Sequence, residues 1–231
     1  MFDVIKTMMA PVEKIMTGLP GYLTVVLIMQ LLWWFGIHGP NVMGAVTSPF
    51  MTKMMATNLE LYQTGEGVSA SGVFYQAGSQ YSIISSPFAA GWFCPTGSGI
   101  TMGLIIAIML FSKRDDFKAI AKLAIPCGIF NINEPIIFGI PLVMNAVFAV
   151  PFFLAPLACI SLGYLVQYIG LCPLFVINVP WTTPVGLFGF LASSGNIMGG
   201  IWQAVIIIGV STLIYTPFVI ASNRQTDTAE I

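Results

Sequence analysis

Three stretches without a charged side chain, Ile15 to Thr52, Gly67 to Ser112 and Pro135 to Asn223, constrain this chain more than any motif in it. A helix crossing a bilayer needs about 20 largely apolar residues, and each stretch exceeds that. Soluble domains carry about 25% charged residues; here the charged share is 7% and the hydrophobic share 57%. Mean hydropathy is +0.89. These values predict an integral membrane protein with several spans, in segments too long and too many for a cleaved signal sequence. A net charge of −1 offers no basic excess for nucleic acid.

Along the chain, Met1 to Met16 reads as an interfacial amphipathic helix carrying Asp3, Lys6, Glu13 and Lys14 among methionines. Leu19 to Ile37 is the first convincing span, ending in Trp33, Trp34 and Phe35, which fit an interfacial belt but also abut His38. From His38 to Pro95, prolines and glycines interrupt moderately apolar sequence, and the expectation is re-entrant or hairpin segments shielded by protein. Gly99 to Phe111 is a second span. The charge cluster Lys113 to Lys118, with Lys122, follows it and belongs on the cytoplasmic side by the positive-inside rule. It reads as a solvated loop with a short amphipathic helix, or as a docking point for a soluble partner. Pro141, Pro151 and Pro156 are expected to cut Ile136 to Ile169 into helical pieces. Ile201 to Ala221 is the closing span, and Ser222 to Ile231 a polar tail. The fold class is therefore all-α: a polytopic transmembrane transport domain of about five full spans with re-entrant hairpins and broken helices.

Glu134 is the only acidic side chain between Lys122 and Arg224, inside Asn131-Ile132-Asn133-Glu134-Pro135. A lone carboxylate at membrane depth costs roughly 2.5–3.5 kcal/mol on insertion scales, so it needs a partner or a function. Pro135 removes a backbone donor and disfavours a helical Glu134, which predicts a break presenting carbonyls, the amides of Asn131 and Asn133 and a carboxylate together. Such a set suits the hydroxyls of a sugar; the alternative is a kink whose carboxylate reaches interfacial water. Gly36-Ile37-His38-Gly39-Pro40-Asn41 holds the only histidine, either a hydrogen-bonding tip or a helix-terminus cap. With Asn41 and Glu134 it forms a donor and acceptor set for a polar ligand. One histidine and one glutamate make a poor metal site, since zinc takes three or four protein ligands. Val179-Pro180-Trp181-Thr182-Thr183-Pro184 predicts a second break, where the Trp181 indole can stack on a pyranose and Thr182 and Thr183 supply hydroxyls, unless the indole only marks an interface. Cys94, Cys127, Cys159 and Cys172 lack metal or redox spacing and read as apolar fillers.

The segments FNINEPIIFGIPLVMN (Phe130 to Asn145), VPWTTP (Val179 to Pro184) and GFLASSG (Gly189 to Gly195), with GIHG at Gly36 to Gly39 upstream, resemble the membrane IIC component of sugar phosphotransferase systems, in particular its lactose, cellobiose and chitobiose branch. The resemblance covers nearly the whole chain. It implies a membrane-embedded chamber that binds a disaccharide or oligosaccharide, with Glu134 and His38 as sugar contacts near the phosphorylated hydroxyl and Trp181 as the stacking indole. It also implies vectorial uptake into a bacterial cell through the cytoplasmic membrane, coupled to phosphorylation by a IIB partner that is charged through IIA. No cofactor, no catalytic residue and no phosphocarrier residue are expected on this chain, and the complete IIC is expected to be a homodimer. A complete IIC is about twice as long, so residues 1–231 resemble the carboxy-terminal, substrate-binding half, with the amino-terminal half missing. Two other functions stay open: an ion-coupled secondary transporter with a proton on Glu134, and a non-transporting remnant.

Overall fold

The computed structural model describes residues 18–69 and 72–227. The helix expected over Met1 to Met16 lies outside the described residues, as does the tail from residue 228 onward. Among the described residues the structure is mostly helical. Helix α1 (Leu19–Trp34) starts with Pro20 in its first turn, where a missing N–H costs nothing, and ends at Gly36 in the left-handed region (φ 80°). Helix α2 (Gly39–Thr64) follows after a turn of four residues and closes on Gly65, also left-handed. A two-residue hairpin, β1 (Val68–Ser69) against β2 (Gly72–Val73), precedes α3 (Ser86–Trp92). Then come α4 (Met102–Phe111), α5 (Asp115–Ile129), α6 (Glu134–Gly139) and α7 (Ala146–Tyr168). Helix α8 (Leu187–Ala192) leads to a rod formed by α9 (Ile197–Ala204), a π-helical segment (Val205–Val210) and α10 (Ser211–Asp227).

Three expectations are corrected. The stretch after His38 is not broken into hairpins from its start: α2 is one helix of 26 residues with Pro49 inside it. Its polar residues spread over an unbroken helix, and Pro40 sits in the first turn, where proline is tolerated. Pro151 and Pro156 do not cut α7, which runs unbroken for 23 residues; both are buried, and packing against neighbours supports the helix where the prolines remove backbone donors. Ser222 to Asp227 is the end of α10 rather than tail. As for spans, two helices are long and apolar enough to cross a bilayer, Ala146–Tyr168 and Ile197–Asn223; α1 and α4 are apolar but only 16 and 10 residues long.

Helix pairs approach closely at small residues. A Cβ on Gly103 would lie 2.2 Å from Ser211 Oγ, which brings α4 against α10, and one on Gly163 would lie 2.3 Å from the Trp92 ring, which seats α3 on α7. In lipid no hydrophobic force draws helices together, so such packing and interhelical hydrogen bonds carry association. Tyr215 Oη donates to the Gly99 carbonyl (2.7 Å), and Asn223 Nδ2 donates to that of Phe111 (3.0 Å). Irregular backbone is satisfied by buried amides. Gln203 Oε1 accepts from the N–H groups of Gly186 and Gly189, and its Nε2 donates to Gly91 O. At the start of α5, Arg114 forks onto Asp116 (3.1 and 2.5 Å), which holds that carboxyl below its ordinary value, and two acidic residues in the first turn suit the helix dipole. Two apolar clusters result, one around Trp92, Phe175 and Phe188, the other around Leu104, Ile136, Phe148 and Tyr215.

Candidate functional site

Three irregular segments meet beside the α1–α2 turn: residues 93–101 between α3 and α4, 130–133 between α5 and α6, and 179–186 before α8. Together with the ends of α1 and α2 they enclose a cavity of about 760 Å³, inside the range of about 300–1,000 Å³ usual for small-molecule sites. Trp33, His38, Asn41, Asn131, Asn133, Glu134 and Trp181 all line it. Thr182 and Thr183 do not; Thr183 contributes its carbonyl to the scaffold instead.

The junction is built by Asn131. Its backbone is left-handed (φ 67°), a conformation asparagine tolerates better than most residues. The side chain is buried and reaches both other irregular segments: Oδ1 accepts from Thr96 N (2.7 Å), while Nδ2 donates to the carbonyls of Trp181 (2.5 Å) and Thr183 (2.9 Å). Both amide protons are thereby committed to protein. Asn133 is likewise buried, donates from Nδ2 to Ser98 O (2.6 Å), and packs where a Cβ on Gly97 would stand 2.2 Å from its Cγ. The two amides expected to face the ligand both line the cavity and at the same time hold the breaks together. The break itself falls at Phe130 to Asn133, after α5 stops at Ile129. Glu134, expected outside the helical region because Pro135 follows it, is instead the first residue of α6, with Pro135 in its first turn, where proline is tolerated.

Glu134 is exposed to the cavity and, among the described residues, its carboxylate has no hydrogen-bond or ion-pair partner. His38 caps α2: its Nδ1 accepts from Asn41 N (3.2 Å). The imidazole also lies against the Trp33 indole at 4.8 Å between centroids, and that indole approaches Phe138 of α6 at 6.4 Å, so aromatic contacts run from the cap to the helix bearing Glu134. Trp181 leaves 52% of its surface exposed, on a turn closed by Thr183 N to Pro180 O (2.9 Å). Sequence reasoning missed Phe93, Cys94, Gly97 and Ser98 as lining residues. The available signal was the run Cys94-Pro95-Thr96-Gly97-Ser98-Gly99, dense in turn formers immediately before an apolar helix. Of the two readings of Trp33, a belt residue or a neighbour of His38, the second holds: it is a buried wall of the cavity against the imidazole.

Comparison with known proteins follows the same lines. The chain is 34% identical over 97% of its length to the oligo-beta-mannoside-specific EIIC component of Bacillus subtilis, covering 48% of that relative. It is 35% identical over 94% of its length to the cellobiose-specific EIIC component of Lactococcus lactis, covering 46% of it, and 33% identical over 89% to the lactose-specific EIICB component of Staphylococcus aureus, covering 34%. Its fold matches the crystal structure of the transporter ChbC, the IIC component from the N,N'-diacetylchitobiose-specific phosphotransferase system, with a TM-score of 0.86 and 31% identity over 97% of this chain and 49% of that one. The chain therefore spans about half the length of most of these relatives. The model of one family, phosphotransferase system EIIC, matches residues 1–156, and on that match the chain belongs to the phosphotransferase system EIIC family.

Proposed function

We propose that this chain is the substrate-binding part of an oligosaccharide permease: it binds a cellobiose-, chitobiose- or lactose-like sugar within the bacterial cytoplasmic membrane and presents one hydroxyl for phosphorylation by a IIB partner supplied through IIA. The observation that carries this reading is that Glu134, His38 and Trp181, far apart in sequence, line one cavity of about 760 Å³. A carboxylate, an imidazole and an exposed indole there give a sugar an acceptor, a polar ring and a stacking plane. The chain is then multi-pass, with α7 and the α9–α10 rod as spans and the irregular segments as protein-shielded breaks. A relative named as a fused EIICB component supports a IIB partner, and membership of the phosphotransferase family favours phosphoryl coupling over ion coupling. In the transfer, the sugar hydroxyl oxygen forms a bond to phosphorus as the bond from phosphorus to the IIB carrier breaks, and the hydroxyl proton leaves toward an acceptor in the cavity.

The test is a thermal-shift and calorimetric screen of purified protein against cellobiose, chitobiose, lactose and gentiobiose. Saturable stabilisation by at least one of them, shifted to markedly higher sugar concentration in Glu134→Gln, is the expected result. A protein that melts cooperatively and ignores all four sugars defeats the reading. Uptake into vesicles driven by a pH gradient, with no phosphate donor, would instead support ion coupling.

A further inference from the structure

The hydrogen bond that caps α2 also decides what His38 offers a ligand. Nδ1 accepts from the Asn41 N–H, so it must keep its lone pair free of a proton. In a neutral imidazole one nitrogen donates and the other accepts. The ring proton then belongs on Nε2, at the opposite edge of the ring, which has no partner among the described residues. The Trp33 indole lies against the ring, and His38 lines the cavity. Glu134 lines the same cavity, and its carboxylate can only accept.

We propose that the Asn41 cap locks His38 as the Nε2–H tautomer, so that His38 enters the ligand site as a donor only and Glu134 supplies the acceptor. This rests on the sugar-binding reading above and sharpens it. A hydroxyl that reaches both groups gives its proton to Glu134 and takes a hydrogen bond on its oxygen from His38. Its orientation is therefore fixed, and Glu134 alone is placed to receive its proton. A ligand group that only donates, such as an ammonium, meets another donor at His38 and is disfavoured there.

The chain contains one histidine, so imidazole nitrogens labelled with ¹⁵N in protein freed of any affinity tag give an unambiguous spectrum. At alkaline pH, where a histidine ring is neutral, Nε2 is expected to appear as the pyrrole-type nitrogen and Nδ1 as the imine type. A predominant Nδ1–H form, or an even mixture of the two, overturns the proposal. Two variants separate capping from ligand binding. Asparagine is a good amino-terminal cap but has no group at the Nε2 position, so His38→Asn is expected to keep the melting temperature of the free protein and to weaken sugar binding roughly tenfold. His38→Gln places an amide donor near Nε2 without the cap, and is expected to melt lower yet bind more tightly than His38→Asn. The reverse order of affinities overturns the donor assignment. If the Nε2–H form is seen while no sugar binds, the tautomer stands and the proposed function falls; if sugar binds and Nδ1 carries the proton, the function stands and this inference falls.

Discussion

Asn131 reaches across 50 positions of sequence to hold Trp181, its Nδ2 donating to the tryptophan carbonyl at 2.5 Å while the same nitrogen bonds Thr183 at 2.9 Å. The Trp181 indole, proposed above as the stacking plane, is thus aimed by an amide whose donors are both taken by protein carbonyls. Asn131→Ala removes three hydrogen bonds from a buried site and is expected to cost about 1–3 kcal/mol of stability, with sugar affinity falling because Trp181 is no longer held. Asn131→Asp keeps the acceptor for Thr96 but sets a carboxylate against two carbonyls, so its melting temperature should be at least as low as that of Asn131→Ala. Melting curves with and without sugar check both; a stable Asn131→Asp that binds normally would show that the latch is dispensable.

Glu134 behaves oppositely. Because its carboxylate has no partner among the described residues, Glu134→Gln should leave the melting temperature of the free protein unchanged or higher. Hydrogen bonds to a charged group contribute about 1.5–3 kcal/mol, so affinity for the sugar is expected to fall roughly ten- to hundredfold. Titration calorimetry on the two proteins gives the ratio.

Some of this architecture was readable from residues and some was not, for identifiable reasons. The breaks at Phe130 to Asn133 and around Trp181 were visible because proline and clustered asparagine or threonine interrupt otherwise apolar runs, and the closing helix because its apolar run is long and free of charge, with Pro217 accommodated inside it. The cavity's His38, Glu134 and Trp181 stood out because polar or amphipathic groups are costly in such surroundings. That Asn131 spends its side-chain amide on backbone as well as lining the cavity was not legible, because an asparagine aimed at a ligand and one aimed at backbone carbonyls look the same in sequence. The 93–98 segment went unrecognised because its contribution comes largely from backbone shape, with Gly97 accommodating Asn133. Helices α2 and α7 were expected to break because proline propensity is local, whereas the packing that keeps buried Pro151 and Pro156 helical is not.

The α1–α2 turn is held at a close approach that leaves no room for a side chain. A Cβ on Gly39 would lie 2.0 Å from Met29 O, a backbone atom that no rotamer change can move. Gly39→Ala should therefore push α2 off α1 and displace the neighbouring His38, costing about 1–3 kcal/mol or more and weakening sugar binding as well. Gly44, in the same helix, faces only Ser48 Oγ at 3.8 Å, so Gly44→Ala should be neutral or stabilising by up to about 1 kcal/mol. Measured melting temperatures of the pair separate local crowding from a general intolerance of α2 to substitution.

Trp181 permits a division of stacking from positioning. With 52% of its surface exposed, its side chain contributes little to the core, while its carbonyl, which any residue retains, carries the bond from Asn131. Trp181→Ala is therefore expected to leave the melting temperature of the free protein nearly unchanged while removing the plane on which a pyranose would lie. Aromatic contacts contribute about 0.5–1.5 kcal/mol beyond buried area, so the loss of affinity should reach roughly tenfold once the lost contact area is added. Trp181→Phe keeps a smaller plane and should fall between the two. Intrinsic fluorescence follows the same change: sugar should alter the emission of the unsubstituted protein, and the part of that change belonging to Trp181 should be missing in Trp181→Phe, leaving whatever Trp33, which also lines the cavity, contributes. An affinity for Trp181→Ala equal to that of the unsubstituted protein would mean that the indole faces the cavity without touching the ligand.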